Sequence, residues 1–458
     1  MLELTIHFDN KSPLYFQLYK KIKRDILSGN IPAGVKLPSK RKMASALSVS
    51  MNTIEAGYQQ LEAEGYIQSV PRKGWFALQA ENDLAVQGAP LSEQQSPVTF
   101  KKSSLIFDQT IDAAHFPLQE WKKNYWQALN RQELFHIGPP KGEPELTREI
   151  ANHLYHSRGV RCKPEQIIIS SGTQVLIERL IELFGERTYA IEDPGYYRVR
   201  QIFSKKKVSF VSVDESGLKV NDLEKTEASA VYITPSHQFP MGMIMPVSRR
   251  MELLRWANER ESRYIIEDDY DGEYRYMGRP IPSLQGMDQN GKVIYLGTFS
   301  KSLLPSMRIS YLILPEKLVH RFEEQLLSFK QTVSRIDQAA LASFIKSGAW
   351  ERHLNRMRTV YRKKRTVLLS ALEKYMPDAR VIGEKSGLHI LIEISNGLTE
   401  EELINRAEKK GVKVFPVSIY YESKKAAAPM VLLGFGRLTE EEIRMGISLL
   451  SKAWFANK

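Results

Sequence analysis

The chain has 458 residues, of which 42% are hydrophobic and 26% charged, and its formal net charge is +12. That length exceeds one small domain, and the composition is that of a globular protein rather than a disordered or fibrous one. Cys162 is the single cysteine, so an intrachain disulfide is excluded and no metal site is expected; with neither a signal-like leader nor a long apolar run, the chain is expected to be cytoplasmic, with no membrane segment.

Residues 1–78 hold eleven Lys and Arg against six Asp and Glu, a local charge of +5. Leu14, Leu18, Ile22 and Ile26 recur every fourth residue and the run stops at Ser28-Gly29, which predicts a helix with a C-terminal glycine. A second short helix is predicted from Ser39, carrying Lys40, Arg41 and Lys42. A third is capped by Ser50, buries Ile54, Tyr58 and Leu61, and ends at Gly65. Tyr66-Ile67 and Trp75-Phe76-Ala77-Leu78 flank Pro71-Arg72-Lys73-Gly74, a hairpin with a basic tip. Tandem short helices followed by such a hairpin outline a winged helix-turn-helix, whose third helix presents its N-terminal residues to a major groove.

Residues 79–104 lack any sustained period and contain Gln-Gly-Ala-Pro and Ser-Glu-Gln-Gln-Ser-Pro, so they are predicted to form a flexible tether spanning about 25–30 Å. Strand and helix signals alternate over 105–458, which predicts an α/β domain. There Gln166–Ile169 leads into Ser170-Ser171-Gly172-Thr173 and then a helix with Leu176, Leu180 and Phe184. A strand, a glycine turn and a helix N-terminus aim free backbone N–H groups at an anion, so Ser171, Gly172 and Thr173 are candidate phosphate ligands.

The chemistry is concentrated in two later strands. Ile-Ile-Glu-Asp-Asp-Tyr (265–270) ends a buried run on carboxylates. Val-Ile-Tyr-Leu (293–296) leads into Gly-Thr-Phe-Ser-Lys-Ser-Leu-Leu-Pro-Ser-Met-Arg (297–308), with Lys301 between two serines and Arg308 seven residues on. Pyridoxal phosphate (PLP) needs an amine for a Schiff base, an acid for the pyridinium proton, and an arginine with hydroxyls for its phosphate. Lys301 supplies the amine, Thr298, Ser300 and Arg308 suit the phosphate, and the pattern leaves Asp268, Asp269 and Asp271 as candidate acids.

These residues carry a family resemblance. Pro13-Leu14-Tyr15, Gly29–Gly34, Leu37-Pro38-Ser39-Lys40-Arg41 and Leu61–Tyr66 resemble the GntR-type winged helix, and the remainder resembles a fold type I aminotransferase. Joined in this order, and with Thr-Pro-Ser-His-Gln-Phe-Pro (234–240) and Gly-Thr-Phe-Ser-Lys-Ser-Leu-Leu-Pro (297–305), they resemble the MocR/GabR subfamily of bacterial transcription regulators. The resemblance implies that Asp268 sits beneath the pyridine nitrogen, that Tyr270 meets the cofactor's phenolic oxygen from the face of the strand that also carries Asp268, and that Tyr196 stacks on the ring. It implies an effector carboxylate held by Arg437, with Arg198 a second candidate, and a homodimer.

Two departures matter. Ordinary aminotransferases of this fold carry Asn-Pro-x-Gly, whose asparagine also contacts the phenolic oxygen; here Phe239-Pro240-Met241-Gly242 stands instead. Because Lys301, Asp268 and Tyr270 remain, Schiff-base formation with an incoming amine is expected, whereas the lost asparagine argues against sustained transamination. Where many GntR members read Ser-Arg-x-Thr, this chain reads Ser50-Met51-Asn52-Thr53, which leaves Asn52 and Thr53 for base edges and Ser39, Arg41, Arg72 and Lys73 for phosphates. The expected protein binds operator DNA and senses a small amine, an amino acid or PLP; a working aminotransferase with an accessory DNA-binding domain is the competing reading.

Overall fold

Contacts divide the chain into two units, residues 1–100 and 101–458. The computed structural model describes residues 6, 8, 12–78, 105–276, 282–326, 329–422 and 428–455, so the tether expected over 79–104 lies outside the described residues.

In the first unit, α1 (Leu14–Leu27), α2 (Lys40–Leu47) and α3 (Met51–Ala63) precede a hairpin of β1 (Ile67–Val70) and β2 (Gly74–Ala77), with Ile67 opposite Ala77 and Val70 opposite Gly74. The Ser39 side chain accepts from the Lys42 N–H and the Ser50 side chain accepts from the Thr53 N–H, each satisfying a donor that the first helical turn leaves open. Leu18, Ile22, Ile54, Tyr58 and Leu61 are fully buried at the centre. Leu14 is 40% exposed, contrary to the predicted stripe. A four-residue spacing drifts around a helix of 3.6 residues per turn, and here Tyr19 is buried as well.

The second unit opens with β3 (Leu105–Ile106), α4 (Leu118–Leu129) and α5 (Pro144–Arg158). Its main sheet has eight strands in the order β4-β11-β10-β9-β8-β5-β6-β7. These are β4 (Ile167–Ser170), β5 (Thr188–Asp193), β6 (Lys207–Asp214), β7 (Gly217–Leu218), β8 (Ala230–Ile233), β9 (Tyr264–Asp269), β10 (Val293–Thr298) and β11 (Ser310–Ile313), with α6 (Thr173–Phe184) following β4. The pairs β10–β9, β9–β8, β8–β5 and β5–β6 are parallel, whereas β11 runs antiparallel to both β10 and β4. Strands β8 and β9 are buried along their whole length, as expected of strands enclosed on both faces. A second sheet of four strands, running from Arg380 to Gly434, packs a separate core that includes Ile390, Ile392, Val431 and Leu433.

Candidate functional site

The carboxyl ends of β4, β5, β8, β9 and β10 open onto one cavity of about 150 Å³, the usual place for a ligand in an open parallel sheet. Thr173, Tyr196, Asp268, Tyr270, Thr298, Ser300, Lys301 and Arg308 line it, so most residues expected to bind one cofactor are brought together. Tyr270 lies just past the end of β9 rather than within it, yet still reaches the same cavity as Asp268. Phe239 lines the cavity too, as do Gln109, Tyr232, Thr234 and Ser310, to which the sequence assigns no role.

Each of the three adjacent carboxylates has a partnered Oδ2 and a buried Oδ1 without a partner among the described residues, and of the three only Asp268 lines the cavity. Asp269 accepts from Arg158 and Tyr295, each at 2.7 Å, and Asp271 lies 2.8 Å from His237 Nδ1. Asp268 Oδ2 accepts from the Tyr232 hydroxyl, while its Oδ1 is buried with no partner among the described residues. Burial pushes the Asp268 carboxyl up to about 7, against the lowering effect of the Tyr232 hydrogen bond. An acid that lines the cavity and keeps an unpartnered acceptor suits a cationic N–H such as a protonated pyridine, so the residues present fit the ring of PLP.

Lys301 Nζ donates to the backbone carbonyl of Gln109 at 2.8 Å. Burial lowers its pKa, which enlarges the fraction carrying the free lone pair that a nucleophilic amine needs. The charges of Asp271 and Asp108 oppose that shift, and Arg198 adds to it.

Around the expected phosphate position, Gly172 (φ +107) caps α6 without any side chain, and a Cβ there would collide with the Arg308 guanidinium. Arg308 itself has φ +55, a left-handed backbone that a non-glycine residue holds only when its surroundings impose it. The Thr298 hydroxyl accepts from the Ser310 hydroxyl at 2.9 Å and from the Ser300 N–H at 3.2 Å. Ser171 does not line the cavity; its N–H donates to the Thr332 hydroxyl at 3.0 Å. Arg437 does not line it either, being 46% exposed and 3.2 Å from Asp108 Oδ2. Arg198 is exposed, and its Nε donates to the Tyr197 hydroxyl at 3.0 Å.

On the small unit, Arg41 and Asn52 are exposed near the starts of α2 and α3, and Arg72 and Lys73 are exposed at the tip between β1 and β2. Ser39 is exposed and serves as a helix cap; Thr53 is part-buried, with its hydroxyl 2.8 Å from that of Ser50. Lys40 is instead drawn to Glu55 at 2.6 Å. Among the described residues, no group of His, Cys, Asp and Glu could hold a metal ion, and no helix is long and apolar enough to cross a membrane.

Comparison with known proteins joins the two halves. Residues 108–443 match the class I and II aminotransferases, and residues 14–77 match the gntR family of bacterial regulatory proteins. The HTH-type transcriptional regulator YdeL of Bacillus subtilis is 46% identical over 96% of this chain and 97% of its own length. The probable rhizopine catabolism regulatory protein MocR of Rhizobium meliloti is 32% identical over 99% and 96%. Among solved structures, a kynurenine aminotransferase of Pyrococcus horikoshii in complex with PMP has 25% identity and a TM-score of 0.70, covering 77% of this chain and 91% of that one. Fold and site thus define a transcription regulator in which a winged helix is fused to a PLP-dependent aminotransferase fold. The chain belongs to the MocR/GabR group of GntR-type regulators.

Proposed function

We propose that this regulator senses a small amine, an amino acid or PLP itself in the cavity of its large unit, and responds by changing how its winged helix holds operator DNA. The plan assigns 1–78 to DNA binding, 79–104 to the tether and 105–458 to the effector domain, in a cytoplasmic homodimer. One observation carries the reading: Lys301 and Asp268, whose Oδ1 has no partner among the described residues, line one cavity with Arg308 and the hydroxyl residues Thr173, Thr298 and Ser300.

In this reading Asp268 holds the ring nitrogen's proton, Tyr196 covers the ring, and Tyr270 addresses the phenolic oxygen. Thr173, with its backbone N–H, Thr298, Ser300 and Arg308 would hold the phosphate, and Gly172 leaves the room that Arg308 occupies. When bound, PLP supplies a carbonyl that captures primary amines and a ring that draws electron density from them. Lys301 would hold the cofactor through its amine. Arg437, now facing Asp108, exchanges that carboxylate for one on the effector, and Arg198 is the second candidate for it. On DNA, Ser39, Arg41, Arg72 and Lys73 bind phosphates, and Asn52 and Thr53 meet base edges.

Absorbance titration of the PLP-loaded protein with amines and amino acids, with and without operator DNA, tests the reading. A spectral change that alters DNA affinity is expected. No response to any of these compounds, together with DNA binding indifferent to PLP, would overturn it. Phe239 at the cavity wall offers no polar atom to the phenolic oxygen, which favours a sensor that stalls; sustained conversion of an amino donor with many equivalents of keto acid would instead identify a working aminotransferase.

A further inference from the structure

We infer that His237, held by Asp271, positions the Tyr270 hydroxyl as a hydrogen-bond donor into the cofactor cavity and supplies the polarity that Phe239 withholds. The inference rests on the PLP reading above and assigns a role to a residue outside the cavity lining. His237 and Asp271 are almost wholly buried, and His237 Nδ1 lies 2.8 Å from Asp271 Oδ2 and 2.9 Å from the Tyr270 hydroxyl.

One ring nitrogen carries one proton, and an ionised carboxylate can only accept. The Nδ1 proton therefore serves Asp271, a charge-assisted bond that fixes the tautomer. With that nitrogen's lone pair unavailable, Tyr270 cannot donate to it, and the tyrosine keeps its own proton for the cavity that it lines. The Nδ1–H also lies close enough to share with the Tyr270 oxygen, which polarises the O–H and strengthens it as a donor. His237 Nε2 is buried without a partner among the described residues. That suits a bare lone pair, because a buried N–H there would go unsatisfied.

The surroundings support a built arrangement. His389 packs against His237 at 4.9 Å between ring centroids, and burial pushes its pKa well below the usual histidine range, so it adds no charge. Lys301, Asp268 and Arg308 are the charged groups that share the cavity with Tyr270. Gly387 (φ +72) approaches the pair closely, and a Cβ there would run into both the His237 ring and the Asp271 carboxylate. Phe239 packs edge-on to Tyr270 at 6.1 Å and brings no donor.

A donor at the phenolic oxygen drains its negative charge and weakens its hold on a proton at the neighbouring nitrogen. Loss of the donor should raise the pH at which the bound chromophore's absorbance switches. In PLP-loaded full-length protein, H237F, D271N and Y270F are each expected to raise that midpoint by about one pH unit, a tenfold change in the proton equilibrium. In D271N no carboxylate holds the proton on Nδ1, so the ring takes the tautomer whose Nδ1 lone pair accepts the Tyr270 proton, which draws that proton from the cavity without a change of side-chain shape. The double variant H237F/Y270F should shift no further than Y270F alone, because both act through one hydroxyl. A purely structural role would lower melting temperature and PLP affinity while leaving the midpoint in place. A coloured wild type whose midpoint is unmoved in H237F and D271N, yet moved in Y270F, would overturn this inference alone. A wild type that takes up no chromophore would overturn the PLP reading and this inference with it.

Discussion

Asp268 is a buried acid on the cavity wall with one oxygen unpartnered among the described residues, and that arrangement has a measurable cost when no cation is present. Its folded-state value of about 7 lies above the ordinary aspartate value of 3.8. Ionisation therefore carries no folding penalty below about pH 4, a growing one as pH rises, and the full penalty above about pH 7. D268N is therefore expected to stabilise the cofactor-free protein at pH 8 by on the order of 1–3 kcal/mol, with the gain shrinking toward pH 5, and to weaken PLP binding. Thermal melts at the two pH values check this, and a D268N that melts below wild type at pH 8 would refute it. At Lys301 the expectation is simpler: borohydride traps PLP covalently on wild type and not on K301A, as read by peptide mass, and an adduct on another lysine would displace Lys301 from its role. The sequence makes Lys301, Thr298, Ser300 and Arg308 legible because they lie in one run beyond a strand. Choosing Asp268 over Asp269 and Asp271 depends on which carboxylate finds Arg158, Tyr295 or His237, and those partners lie far along the chain. Gln109 escapes sequence reading because it offers only a backbone carbonyl to Lys301.

Helices and strands are easier to read from sequence than the contacts between them. Ser39 and Ser50 mark the starts of α2 and α3 because short hydroxyl side chains satisfy open N–H groups locally, and the hairpin follows from two apolar runs around a turn. At Ser39 the cap uses the hydroxyl oxygen as acceptor, so the same group keeps a proton for a phosphate. On the wing, Arg72 holds φ +63 at the tip, beside exposed Lys73. Substituting Arg41 or Lys73 by Ala is expected to weaken binding to all DNA sequences and to flatten the salt dependence by roughly one unit of log–log slope each. N52A should instead relax discrimination between operator variants, with little change in that slope. Binding isotherms across a salt series separate the two behaviours. R72A/K73A with undiminished affinity at physiological salt would remove the wing from the DNA contact.

For the whole molecule, regulation requires that the effector interact differently with two states of the protein, since a ligand shifts an equilibrium only through differential affinity. Two groups in the large unit can supply that difference: the Lys301 amine, released when an amine takes its place, and Arg437, whose carboxylate partner Asp108 can be exchanged for the effector's own. Asp108 also acts on Lys301 through its charge, so the exchange at Arg437 is felt at the amine. A coupling of about 1–3 kcal/mol would change operator affinity or promoter output by roughly 5–150-fold. Reporter output with and without candidate effectors, in R437A and K301A, distinguishes the sensed molecule. If the effector carries a carboxylate, R437A should lose the response while retaining PLP and basal DNA binding. If PLP itself is sensed, R437A should respond normally and K301A should not. A normal response in both variants would exclude this cavity as the sensor, because each proposed effector must act through at least one of these two side chains.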